Sequence, residues 1–322
     1  MDSKVLQGAV PAGRRWWRGS WPAGFGPAEL MLLLVAAVWG GSYAVAKQAT
    51  QQLPVLEFVA LRFGLTFLVL LPALRPLWSD AQWRQGLAVG GLLGANLLAI
   101  FLCETFGVSL TLASNAAFLI SLCVAITPFV EWWLLGRRPA RRVFWAAGLS
   151  AVGAALLSAP SLADLSMGWG DALMLAAAFL RAVMVCLTRR LAGRHNLPAL
   201  TLTAVQSGVM ALGAAALSLL SVAGGGAWHL PPATAAFWWG MAYLVLLCTV
   251  FAFFAQNHAA SRSSPSRVSL LMGSEPVFGA AIAALVLGER IGAWGWAGGL
   301  LIVGAALWVS LVPEAGEQKW RP

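Results

Sequence analysis

The chain has 322 residues, 60% of them hydrophobic and only 10% charged, with a mean hydropathy of +0.78. A soluble domain carries roughly 45 to 50% apolar and about 25% charged residues, so this composition excludes an ordinary soluble fold and points to an all-α polytopic membrane protein. The net charge of +9 and pI near 10.4 do not indicate a nucleic-acid binder, because the basic residues follow the loops and form no block interleaved with aromatics.

Residues 1–29 hold Lys4, Arg14, Arg15, Arg18 and three tryptophans before any apolar run. They read as a basic cytoplasmic tail and not as a removed signal peptide, since no small-residue cleavage site follows a short apolar core. Apolar runs then predict ten transmembrane helices near 30 to 48, 55 to 75, 86 to 104, 109 to 135, 143 to 160, 169 to 188, 199 to 222, 236 to 256, 268 to 287 and 292 to 311. The connections are too short for a soluble domain, and 312–322 form a second cytoplasmic tail. Cys103, Cys123, Cys186 and Cys248 each fall inside an apolar run with no CxxC, so no disulfide framework, metal site or cofactor is expected.

Lysines and arginines set the orientation. The tails and the even-numbered loops hold seventeen of them, while the odd loops and their margins hold Lys47 and Arg290. Both termini are therefore expected in the cytoplasm, which requires an even number of spans. The fifth and tenth spans share nine identities at an offset of 151, in which Val152-Gly153-Ala154-Ala155-Leu156 meets Val303-Gly304-Ala305-Ala306-Leu307. Ser121 and Pro128 meet Ser269 and Pro276 at an offset of 148. Five spans per half place the halves in opposite senses, 30–160 and 161–311, as in the inverted repeats of secondary transporters.

The ninth span carries Glu275-Pro276 near mid-membrane. An acid at that depth costs at least a few kcal/mol unless paired, protonated or wet, so it is read first as functional and second as a kinked packing helix hydrogen-bonded by Ser274. Pro276 has no N–H and should free the carbonyl of Met272, as Pro128 should free that of Val124. Arg62 and Arg181 also fall inside spans. Sharing a cavity with Glu275, they would give a site of net positive charge suited to a carboxylate; the other reading is that they snorkel or pair structurally. Ser114, Asn115, Ser121 and Gln206 are candidate polar lining, with helix-to-helix hydrogen bonding as the alternative. Glu131 is expected near the cytoplasmic headgroups, and Glu57, Glu104, Asp171 and Glu289 at the outer rim.

Trp39-Gly40-Gly41-Ser42 with Lys47, Arg62, TLASNAAFLISL before Pro128, SEPVFGAAIAALVLGE and GAWGWAGGLLIVGAAL together resemble an EamA-type member of the drug/metabolite transporter superfamily, from Leu30 to Leu311. The resemblance implies ten helices as two inverted five-helix repeats, alternating access, and a small-molecule substrate such as an amino acid or related amphiphile. It implies proton coupling or exchange, and it adds Trp39 to the candidate site residues. Three departures stand out: Arg137 occupies the place of Glu289, Pro128 to Gly136 is 8 positions against 12 from Pro276 to Gly288, and Arg181 replaces a small or aromatic residue.

The expected partners are substrate, bilayer and protons, with no nucleic acid, in a monomer or homodimer of the bacterial inner membrane. A membrane-embedded enzyme or sensor without transport is the alternative, but His195, His229 and His258 all lie near loops. No GxxxxGKS loop is present for ATP, and no charge ring suggests a channel.

Overall fold

The computed structural model describes residues 26–75, 83–111, 113–158, 168–195, 197–286 and 292–311. Residues 1–25 of the first expected tail, the whole of the second, the Leu-Gly-Glu turn at 287–289 and the side chains of Lys47, Ser114 and Asn115 lie outside the described residues, whereas 27–29, expected in the tail, are the first turn of a helix. Every regular element among the described residues is helical.

The first helix, α1 (Pro27–Thr50), starts on a proline, whose missing N–H costs nothing at that position. It is followed by α2 (Val55–Leu70) with a 3-10 extension at Leu71–Leu74, α3 (Trp83–Leu110), α4 (Ala113–Ser121) and α5 (Cys123–Leu135). Next come α6 (Arg141–Leu157), α7 (Trp169–His195) and α8 (Ala199–Ala223). The helix α9 (Ala235–Ala260) contains a π-helical stretch at Leu246–Phe251. The last three are α10 (Pro265–Met272), α11 (Glu275–Val286) and α12 (Ala293–Leu311).

Among the described residues seven helical stretches are long and apolar enough to cross a bilayer: 55–74, 83–110, 118–135, 169–192, 199–223, 235–260 and 293–311. The outside of the bundle is apolar, with Leu285 86% and Trp133 75% exposed. A soluble monomer would not leave so much large apolar surface in water, and the chain is a multi-pass membrane protein. The other three expected spans are helical as well. The first of them lies within α1, a helix of 24 residues, α6 has 17 residues, and the ninth span is divided between α10 and α11.

Helices pack in pairs: α7 along α3, α8 on α2 and α3, and α6 on α12. At the α6–α12 crossing the backbones nearly touch, and a Cβ on Gly153 would stand 2.6 Å from the carbonyl oxygen of Gly298. Its counterpart by sequence, Gly304, faces open space, so identical pentapeptides occupy different packing environments.

The interruptions of the fourth and ninth spans depart from expectation. α4 gives way to α5 at Leu122, six residues before Pro128, and the ninth span breaks at Gly273–Ser274. Pro128 lies inside the continuous helix α5. The breaks stand 151 residues apart from Leu122 to Gly273, which agrees with the offset of the fifth and tenth spans and not with the offset of 148 inferred from the prolines. From these breaks α5 runs for 13 residues and the described part of α11 for 12.

Candidate functional site

A cavity of about 620 Å³ enters the bundle at the end where α1 and α3 finish and α2 and α7 begin. Thr50, Gln51, Ser109 and Ser158 stand near its mouth, and Ser121, Cys123, Ser269 and Gly273, at the helix interruptions, lie deeper. Unwinding a helix at this depth is tolerable where the backbone lines a wet cavity. The interruptions thus lie beside the one kind of space that can satisfy them.

Arg181, near the middle of α7, organises one wall. Its Nη2 donates to Glu104 of α3 at 3.0 Å from Oε2 and 3.3 Å from Oε1, and its Nη1 stands 3.5 Å from Oε2 of Glu275. The guanidinium also lies over the ring of Trp39, 5.4 Å from the centroid. One cation therefore bridges two carboxylates from different helices with an indole against its face. Glu275 is the first residue of α11, where the unpaired N–H groups of the helix start favour a negative charge.

Arg62 forms the second positive centre. It is 5% exposed, its Nε donates to Thr249 Oγ1 at 3.0 Å, and its Cζ lies 5.3 Å from the ring centroids of both Phe63 and Phe101. Among the described residues no carboxylate pairs with it. Thr249 belongs to the π-helical stretch, and its hydroxyl donates five residues back to the carbonyl of Leu244 at 2.8 Å. The same stretch presents the carbonyl of Cys248 to Trp39 Nε1 at 2.9 Å. Opening one turn of α9 thus positions both Arg62 and Trp39. Such π-turns are frequently found at functional sites.

The tightest helix contact by the site is α1 against α11. A Cβ on Gly40 would lie 2.7 Å from the Gly279 nitrogen and 2.8 Å from the carbonyl oxygen of Glu275. Both are backbone atoms that cannot swing aside. Gly40→Ala is expected to push α11 outward, lower stability by about 1 to 3 kcal/mol and cut transport. Gly304→Ala, which fills open space, should leave both unchanged. Thermal unfolding in detergent together with uptake in vesicles checks the pair.

Of the residues singled out from sequence, Trp39, Arg62, Ser121, Arg181, Glu275 and Pro276 all line the cavity. Ser121 donates to the Phe118 carbonyl at 2.6 Å. Gln206 does not line it. It is fully buried, and its Oε1 accepts from Asn257 Nδ2 at 2.8 Å, so it is a helix-to-helix contact between α8 and α9. Pro128 is buried within α5 and away from the cavity lining.

One acid expected at the rim lies elsewhere. Glu104 is in the cavity and paired with Arg181, because the third span continues to Leu110 and carries it more than a turn deeper than an end at residue 104 implies. With Glu104 present, two arginines face two glutamates. Among the described residues the charges of the cavity are formally balanced when both acids are ionised, and not net positive. Glu131 is buried at 8% exposure between helices: its Oε2 accepts from the Ser266 backbone N–H at 2.9 Å and from the Ser266 hydroxyl. Asp171 stands at the end of the bundle where the cavity opens, buried, accepting from Thr111 Oγ1 at 2.6 Å and from the Gly168 N–H at 3.2 Å.

The model of the EamA-like transporter family matches residues 26–159 and again 168–311. A relative named as an uncharacterized transporter of Archaeoglobus fulgidus is 33% identical over 108 residues, which is 33% of this chain and 32% of that protein. That alignment spans about a third of the relative's length. A second uncharacterized transporter of the same organism is 26% identical over 290 residues, covering 85% of this chain and 94% of its own. A solved crystal structure superimposes with a TM-score of 0.69 at 18% identity, over 88% of this chain and 96% of the other, which is a likeness of fold.

Proposed function

Because the chain belongs to the EamA-like transporter family and is a membrane transporter, we propose that it moves a small zwitterionic or neutral amphiphile, of the amino-acid type, by secondary alternating access. The cavity carries this reading. Its volume of about 620 Å³ suits a small metabolite, and its charges are sorted into an Arg62 free to meet a carboxylate and a Glu104–Arg181–Glu275 cluster able to meet an amine. A site of net positive charge would select simple anions; a balanced one with separated poles suits a molecule that bears both signs.

The reading includes ten spans as two inverted five-helix repeats, supported by the two successive matches of one family model and by breaks 151 residues apart. It places the tails, 1–29 and 312–322, in the cytoplasm of a bacterial cell and the protein, as monomer or homodimer, in the plasma membrane, on the asymmetry of basic loops. In that orientation the cavity opens outward. Glu275 is the coupling acid: a proton arriving there loosens its hold on Arg181 and changes what the site can bind.

The test is uptake of radiolabelled amino acids, organic anions and cationic drugs into proteoliposomes, with and without a pH gradient. A zwitterion should accumulate only with the gradient, and Glu275→Gln should abolish accumulation while leaving exchange intact. If the folded protein moves no member of the panel, the reading fails.

A further inference from the structure

At the end of the bundle away from the cavity mouth, the interrupted helix α10 is held by groups from other helices. Ser264 precedes α10, Pro265 opens it, and Ser266 follows in the first turn, where the backbone N–H groups have no helical partner. The carboxylate of Glu131, on α5, takes the Ser266 N–H and the Ser266 hydroxyl together. It also places a negative charge at the positive end of α10. One turn further along, Thr127 Oγ1 donates to Ser269 Oγ at 2.9 Å, so α5 and α10 are stitched twice along one face. On the other side of α10, Arg267 pairs with Glu29 of α1 at 3.0 Å and donates to the carbonyl of Ser310 of α12 at 3.1 Å.

Ser269 and Met272 of α10 both line the cavity. The stitches lie below them, between the cavity floor and the cytoplasmic end, and no residue of 130–145 or 259–268 takes part in the lining. A buried carboxylate holding another helix by its N-terminus is a bistable contact: made, it closes the gap between α5 and α10; broken, it leaves unpaired N–H groups that need water. Side-chain packing alone would not demand that water enter when the helices part.

We propose that Glu131 is the positioning residue of the inner gate, clamping the start of α10 so that the cavity stays shut toward the cytoplasm while it is open outward. The carboxylate must let go of Ser266 before substrate can leave on the inner side. This inference rests on the alternating-access reading above, but it is tested without any substrate.

The probe is Met272→Cys in the full chain with Cys103, Cys123, Cys186 and Cys248 replaced by alanine, labelled with a membrane-impermeant maleimide in right-side-out and inside-out vesicles. With Glu131 intact, labelling should proceed from the outside and be slow from the cytoplasmic face. Glu131→Gln should raise the cytoplasmic rate about tenfold and lower the outer rate, and Ser266→Ala should shift both rates the same way by less. Glu131→Asp should fall between glutamate and glutamine. Rates unchanged in Glu131→Gln and Ser266→Ala, in protein that elutes as a single folded species, would overturn the gate. If Glu131→Gln does not fold, Ser266→Ala and Glu131→Asp decide it alone. A failed transport assay leaves these rates untouched, so the two ideas fail separately.

Discussion

Replacing Arg181 by methionine is expected to abolish transport, lowering initial uptake by at least about 30-fold. The substitution keeps the length and the apolar stem but leaves Glu104 and Glu275 facing each other with no cation between them. Removing one member of a buried charge pair costs roughly 2 to 5 kcal/mol, chiefly through the charge left behind. Here both carboxylates touch the cavity, with side chains 13% and 9% exposed, so solvent relieves part of the cost and the lower end, about 2 kcal/mol, is the expected value. Arg181→Lys restores the charge but cannot fork toward two acids at once, and it should recover only part of the activity. Uptake and thermal unfolding of the three proteins check this. Wild-type transport by Arg181→Met would make the cluster a structural contact only.

The second large effect concerns Arg62. Its Nε is committed to Thr249 and its planar group lies against the touching rings of Phe63 and Phe101, which leaves the terminal amino groups for a ligand. A charge-assisted hydrogen bond contributes about 1.5 to 3 kcal/mol, or roughly 10- to 150-fold in affinity. Arg62→Gln should weaken binding of the transported zwitterion by that factor while barely changing binding of its amide analogue. The wild type should separate acid from amide and the variant should not. Competition by the two ligands against labelled substrate measures both numbers, and equal weakening of the two would remove carboxylate recognition from Arg62.

Much of this arrangement was legible in the sequence because charges are so scarce within the apolar runs. Arg62, Arg181 and Glu275 interrupt long stretches without another ionisable group, and they do converge on one cavity. Glu104 was concealed by the end of its helix. Apolar periodicity placed that end at residue 104, whereas the helix continues through Glu104-Thr105-Phe106-Gly107 to Leu110, and Thr105 satisfies its own hydroxyl on the carbonyl of Phe101 at 2.6 Å. Polar residues that hydrogen-bond within their helix do not end it, though they resemble a loop in hydropathy.

The burial of Glu131 was concealed for a different reason. It comes from α10, whose first turn lies 135 residues away in the chain. No local pattern records that contact. Gln206 shows the converse error, since a polar residue on an apolar helix can be satisfied by a neighbour such as Asn257 as readily as by a ligand. The prolines misled in the same way. Pro276 stands three residues after the glycine at which its span breaks, but Pro128 lies well inside a continuous helix. The two prolines therefore hold different places relative to the helix breaks.

The π-helical turn at Leu246–Phe251 also has a genetic consequence. It holds one residue more than an α-helical turn would, so deleting a single codon there would return α9 to regular winding. The helix on either side would keep its facing, because the wide turn alone absorbs the extra residue, and only the groups of the turn itself would move. The carbonyl of Cys248 that receives Trp39 and the hydroxyl of Thr249 that receives Arg62 would be drawn back into the helix. A frame-preserving loss of three nucleotides, harmless in a loop, would here dismantle both positive centres of the cavity at once, which marks this short stretch as the part of the gene least able to change length.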